Sequence, residues 1–163
     1  LNSTYMKVTS TIILLILAIS TVSFAKCSIP FELSGSLIIV EAKVNNERGK
    51  FILDTGAPGL ILNAKYFEGK PSEYMVVGTG GQIDAHEQEV TFFKWGCLKA
   101  INTKGLIIDL SYLEESIGVP LLGLIGYGMI FDTELVIDYT TKTIDVYKAP
   151  WLSRHKKQSP SID

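Results

Sequence analysis

One stretch constrains this chain more than any other. Phe51-Ile52-Leu53 is an apolar strand that runs directly into Asp54, Thr55 and Gly56, followed by Ala57. A carboxylate at the end of a buried strand is costly unless donors hold it. Thr55 supplies a side chain that hydrogen-bonds, and Gly56 a residue free to turn sharply. Three roles are open to Asp54 at this point: one of a pair of carboxylates, a lone acid, or a structural turn residue.

The sequence around it reads as short strands. Ser36 to Val44 alternates Val40, Ala42 and Val44 with Glu41 and Lys43, giving one dry and one wet face. Asn45 to Gly49 has the composition of a turn, and Lys50 to Leu53 returns as a second strand. Leu60-Ile61-Leu62 is a short buried strand, and Asn63 is placed to cap a brief helix through Phe67. Tyr74 to Ala85 has apolar arms around a glycine-rich tip (Gly78, Thr79, Gly80, Gly81), the pattern of a hairpin with a mobile tip. Glu89 to Trp95 and Leu98 to Ile101 form a strand pair around Gly96, with Gly105 to Leu110 a separate strand. Ser111 is the expected cap of a short helix, Tyr112 to Ile117. Leu121 to Gly126 is a second buried strand, and Tyr127 to Phe131 about one helical turn. Glu134 to Tyr139 and Thr143 to Tyr147 make a closing hairpin. Residues 28–34 form a leading arm, and the polar stretch after Pro150 reads as a frayed tail.

The 163 residues fit one domain with a terminal extension. The expected organisation is a signal peptide over 1–25, an N-terminal arm over 26–35, a folded domain over 36–148 and a polar tail over 149–163. Met6-Lys7 is the expected start. An apolar run, Val8 to Phe24, follows, and Ser23-Phe24-Ala25 has small residues where a signal peptidase reads. That pattern implies export to the periplasm or outside the cell, with cleavage after Ala25. The alternative is a retained N-terminal membrane anchor, and only then is the membrane a partner. The net charge is -2 and the pI about 5.7, so no nucleic-acid surface is expected. The basic run Arg154-His155-Lys156-Lys157 sits in the polar tail and reads as a solvated end.

Export gives the two cysteines, Cys27 and Cys97, an oxidising environment. They allow one bridge; the other reading is two free thiols with Cys97 simply packed. No metal site is expected. His86 and His155 lie far apart, and His86-Glu87-Gln88-Glu89 is not the two-histidine helical zinc motif.

A single aspartate is a weak base and, at neutral pH, a poor acid. Two carboxylates in contact cannot both ionise comfortably, so they share one proton and titrate as a unit. A chain with one Asp-Thr-Gly can supply the second from another copy of itself across a two-fold axis. The sequence resembles the retropepsin-like aspartic proteases of bacterial type over roughly residues 37–147. Phe51 to Ala57 is similar to the family's apolar-apolar-Asp-Thr-Gly-Ala, and Val76 to Ile83 falls where the family has its substrate-covering flap. Leu124-Ile125-Gly126 is similar to the apolar-apolar-Gly element beneath the catalytic loop, and residues 135–147 resemble the terminal hairpin of bacterial members.

The resemblance implies an all-β acid-protease barrel with short helices and one lobe per chain. It implies a homodimer that hydrolyses an extended peptide or protein substrate without a cofactor. Asp54 would be the catalytic acid and base. Thr55 would lock the two loops across the dimer, and Gly56 would donate to the carboxylate. Gly78, Thr79, Gly80 and Gly81 would form the flap, and Leu124, Ile125 and Gly126 would support the loop. Many pepsin-like enzymes have serine where Ala57 stands. Its absence implies activity extending to weakly acid or near-neutral pH.

Plainer readings stand beside these. The glycines at 78, 80 and 81 suit an ordinary flexible hairpin, and they are not a nucleotide loop because no Lys and Ser or Thr pair follows. Asp109, Asp132 and Asp138 read as solvated or capping acids, and Asp132-Thr133-Glu134 lacks the glycine of a second catalytic loop. The alternative function is a non-catalytic peptide-binding or dimerisation module on the same fold.

Overall fold

A computed structural model describes residues 27–72, 76–78, 81–83 and 86–148. The first strands are β1 (Cys27–Pro30), β2 (Glu32–Ser34), β3 (Leu37–Val44), β4 (Glu47–Leu53), β5 (Leu60–Asn63) and β6 (Lys70–Pro71). Then come β7 (Val76–Gly78), β8 (Gly81–Ile83), β9 (His86–Trp95) and β10 (Leu98–Ile108). Helix α1 (Ser111–Ile117) precedes β11 (Gly123–Ile125), a 3-10 turn (Tyr127–Met129), β12 (Thr133–Asp138) and β13 (Thr143–Lys148).

The main sheet runs β2-β3-β4-β11-β5-β10-β9-β6 and closes on itself where β3 also pairs with β9, at Lys43 opposite Lys94 and Val44 opposite Phe93. The closed circuit β3-β4-β11-β5-β10-β9 is a barrel. Closure removes the sheet edges that would otherwise template association. The dry face read from the sequence points inward: Val40, Ala42 and Val44 are buried with Phe51, Leu60, Leu62, Val90, Phe93, Trp95 and Ile125. Phe51 and Phe93 meet edge to face, with ring centroids 6.4 Å apart. β5 is buried at all four residues: the apolar Leu60, Ile61 and Leu62, and the polar Asn63. A smaller sheet, β1-β13-β12, flanks the barrel.

Several elements differ from the sequence reading. The β3–β4 turn is only two residues: Asn45 takes a positive φ of 51°, so pairing starts at Glu47 rather than Lys50. The separate strands expected before and after residues 102–104 are one strand, β10. Asn102 bends it at φ 52° without breaking its register with β9, and its far half also pairs with β5. The stretch after Asn63 is a turn rather than a helix, although the Asn63 side chain accepts the Lys65 N–H as a cap would. Ser111 is the first residue of α1, not its cap. Asp109 accepts both the N–H and the hydroxyl of Ser111, at 2.9 and 2.6 Å.

A disulfide joins Cys27 to Cys97. It ties β1 to the β9–β10 turn, so the leading arm is pinned at both its disulfide and its pairing with β13. Among the described residues no helix is long and apolar enough to cross a membrane; the apolar run over 8–24 lies outside them.

Candidate active site

β4 delivers Asp54 to the rim of the barrel. Its N–H donates to the Ile125 carbonyl at 3.0 Å, continuing the parallel β4–β11 pairing by one residue. The chain then turns sharply. The Gly56 N–H donates to Asp54 Oδ1 at 2.9 Å, and the Ala57 N–H donates to the Asp54 carbonyl at 3.1 Å. A Cβ on Gly56 would stand 3.2 Å from Asp54 Oδ1, tight enough to disturb that bond. Asp54 is half-buried, whereas Thr55 and Gly56 are exposed. The Thr55 side chain has no hydrogen-bond partner among the described residues.

The loop rests on a backbone scaffold. β11 lies between β4 and β5, and the chain leaving it bonds to three successive carbonyls of the loop. Gly126 N–H donates to Gly59 at 2.9 Å, Tyr127 N–H to Ala57 at 2.8 Å and Gly128 N–H to Pro58 at 3.0 Å. A side chain at Gly126 would collide with the carbonyls of Gly59 and Ala57, so glycine is required there by close approach. The Ala57 methyl is 8% exposed and packs in an apolar cluster with Ile61 and Leu110.

Two polar residues hold β11 in place: Asn63, which the sequence reading gave only as a helix cap, and Glu114, which it did not single out. Asn63 is fully buried; its side chain donates to the Leu121 carbonyl at 3.0 Å, and its N–H donates to the Leu122 carbonyl at 2.9 Å. Glu114, buried on α1, accepts from the Leu121 N–H, the Tyr66 hydroxyl and Lys65 Nζ, each at 2.8 Å. Burial pushes the Glu114 carboxyl up. Bonds from Lys65, Leu121 and Tyr66, with the Lys65 charge, outweigh that and hold it below the ordinary value of 4.5. A polar residue closing the apolar run Leu60-Ile61-Leu62 was the available signal for Asn63. Glu114 had none, because its partners come from two distant segments, Lys65-Tyr66 and Leu121.

Asp109 and Asp138 serve turns. Ser111 bonds hold the Asp109 carboxyl below the usual range, and the Thr141 and Thr140 N–H groups do the same for Asp138. After Asp132, Thr133 donates its hydroxyl to the Ile130 carbonyl and starts β12. In the hairpin, β7 and β8 pair from Val76 opposite Ile83 to Gly78 opposite Gly81. Thr79 and Gly80 lie outside the described residues. Among the described residues no group of His, Cys, Asp and Glu is placed to hold a metal.

This arrangement resembles a solved structure, a retropepsin-like aspartic protease from Rickettsia conorii. The two share 22% sequence identity with a TM-score of 0.53, over 76% of this chain and 91% of that one. The fold is retropepsin-like. No family model matches the sequence, and no curated protein matches it. In retropepsin-like terms the chain is one all-β lobe, with Asp54 on the loop after β4, a two-stranded hairpin between β6 and β9, and β11 beneath the loop.

Proposed function

We propose that this protein is an aspartic endopeptidase, active as a homodimer in which two copies of Asp54 face each other. The observation that carries the reading is the Asp54 loop: a half-buried carboxylate at a strand end, held by the Gly56 N–H and propped on β11. The exposed Thr55 hydroxyl supports the dimer, because it is free to bond to the second copy. In the pair, one carboxylate takes a proton from a bound water while the other donates its proton to the substrate carbonyl oxygen. The tetrahedral diol collapses as the amine leaves with a proton, and no covalent intermediate forms. The β7–β8 hairpin would close over an extended peptide and exclude solvent. The disulfide supports export, since such bonds persist in oxidising compartments.

The test compares wild type with Asp54→Asn on a broad peptide library. Cleavage by wild type that is absent in the variant, and is blocked by a statine-type inhibitor, is the expected outcome. Peptide capture without cleavage by both proteins would favour a binding module instead. Sedimentation of the active protein checks the pairing: an active strict monomer would overturn the shared-carboxylate mechanism.

A further inference from the structure

Four cations stand in one row across the outside of the barrel. Arg48 on β4 is opposite Lys43 on β3, Lys43 is opposite Lys94 on β9, and Lys94 is opposite Lys99 on β10. All three pairings are antiparallel, so the four side chains share a face. That face is the outer one, because the neighbouring residues Val44 and Phe93 are buried in the core. With strands about 4.8 Å apart, the row spans about 14 Å.

Like charges directly opposed in a sheet are destabilising, and folding gives no reason for three such pairs in succession. Arg48 is paired with Glu41, but among the described residues Lys43, Lys94 and Lys99 make no ion pair. The row is a local reversal of sign on a chain whose net charge is -2. It is also concave. Lys43, Arg48 and Lys94, without Lys99, line a cleft of about 520 Å³ whose far wall is the leading arm at Ile29 to Glu32. Lys50 also lines it, with Glu32 and Glu41. These two acids are paired with Lys50 and Arg48, which among the described residues leaves Lys43 and Lys94 as its unpaired charges.

We propose that this cleft and its row of cations are a docking surface for an extended acidic polypeptide segment. Charge complementarity sets the sign of the partner, and shape sets its class. A flat bilayer cannot enter a cleft, whereas an extended chain lies along it. A long nucleic acid would extend past a row of about 14 Å onto the rest of a chain whose net charge is -2, whereas a short acidic segment meets the row alone. Residues 1–26 contain no Asp or Glu and residues 149–163 only Asp163, so neither segment has the acidic chemistry this surface fits. The row begins at Arg48, six residues before Asp54 on β4 and on the order of 20 Å from it, so docking and peptide cleavage are separable.

The experiment uses fluorescence anisotropy of a fluorescein-labelled oligoglutamate peptide with the Asp54→Asn protein, which removes any cleavage. Binding is expected at low salt, weakening as salt is added, with an oligoglutamine peptide not bound. The triple variant Lys43→Gln, Lys94→Gln, Lys99→Gln should lose affinity by about tenfold or more. The same three positions changed to Arg should restore it. The melting temperature of the triple Gln variant should match or exceed that of the parent, since the repulsion is gone, which separates lost docking from lost folding. Neutralising three cations elsewhere (Lys70, Lys104, Lys142) should leave affinity within about twofold. Equal losses from the two triple variants, no binding of oligoglutamate, or binding to phosphatidylserine vesicles without binding to the peptide would each overturn the proposal.

Discussion

Gly126 stands directly against Gly59: its N–H donates to the Gly59 carbonyl at 2.9 Å, and a Cβ at Gly126 would run into that same oxygen. The candidate catalytic loop is thus fixed from below by a backbone contact that no side chain can reproduce.

The first prediction concerns this pair. Gly126→Ala should cost about 1–3 kcal/mol, because the displaced neighbours are backbone and cannot rotate away. It should also reduce the proposed peptidase activity by shifting Asp54, whose N–H is held by the adjacent Ile125. Gly59→Ala, where an added Cβ meets nothing within 4 Å, should change stability by no more than about 0.5 kcal/mol. Urea melts of the two variants decide it, and similar costs would show that close approach is not what requires Gly126.

A second prediction follows from Glu114. Its carboxyl is held below its ordinary value in the folded protein, so its stabilising contribution is full above pH 4.5 and is lost as pH falls through the lowered value. Glu114→Gln should therefore cost about 1–3 kcal/mol at neutral pH, and the gap from wild type should narrow in strong acid. Denaturation midpoints of both proteins near neutrality and well below pH 4.5 measure this. A constant gap would show that the charge of Glu114 is not what matters.

The disulfide gives a third. Cys27 and Cys97 are 70 residues apart, and closing a loop of that length removes chain entropy worth about 4 kcal/mol in the loop-closure treatment. Replacing both by Ser should lower the unfolding free energy, measured by urea melts, by about 2–4 kcal/mol. The barrel should persist, because β1 lies outside the closed circuit. Far-ultraviolet circular dichroism of the variant checks that last point.

Ala57→Ser is a fourth. A hydroxyl beside the proposed carboxylate pair would favour its ionised form, so the pH–rate profile of the proposed peptidase should move toward acid. The Ala57 methyl packs against Ile61 and Leu110, so the same change should cost about 1–3 kcal/mol if the hydroxyl stays in that apolar cluster. An unchanged pH–rate profile would show that residue 57 does not set the working pH.

Much of this protein was legible in the sequence because it rests on local physics. The alternation of Val40, Ala42 and Val44 with Glu41 and Lys43 fixes which face of β3 is buried, whatever the partners. The change from apolar strand to acid, hydroxyl and glycine at Leu53 to Gly56 fixes a sharp turn that presents a carboxylate, and the closing hairpin follows from strand pattern and turn residues. Tertiary structure decided everything that depends on distant segments meeting. The chain around Asn102 reads as a gap between two strands, yet pairing with β9 on both sides of it, and with β5 beyond, keeps β10 one strand that bends there. Glu114 is an ordinary helix glutamate until Lys65, Tyr66 and Leu121 surround it. Lys43, Arg48, Lys94 and Lys99 look like scattered surface charges along the chain, and only the closure of β3 onto β9 lines them up. Periodicity reports which way a side chain points; which neighbour it finds there is set by the register of strands that the sequence keeps far apart.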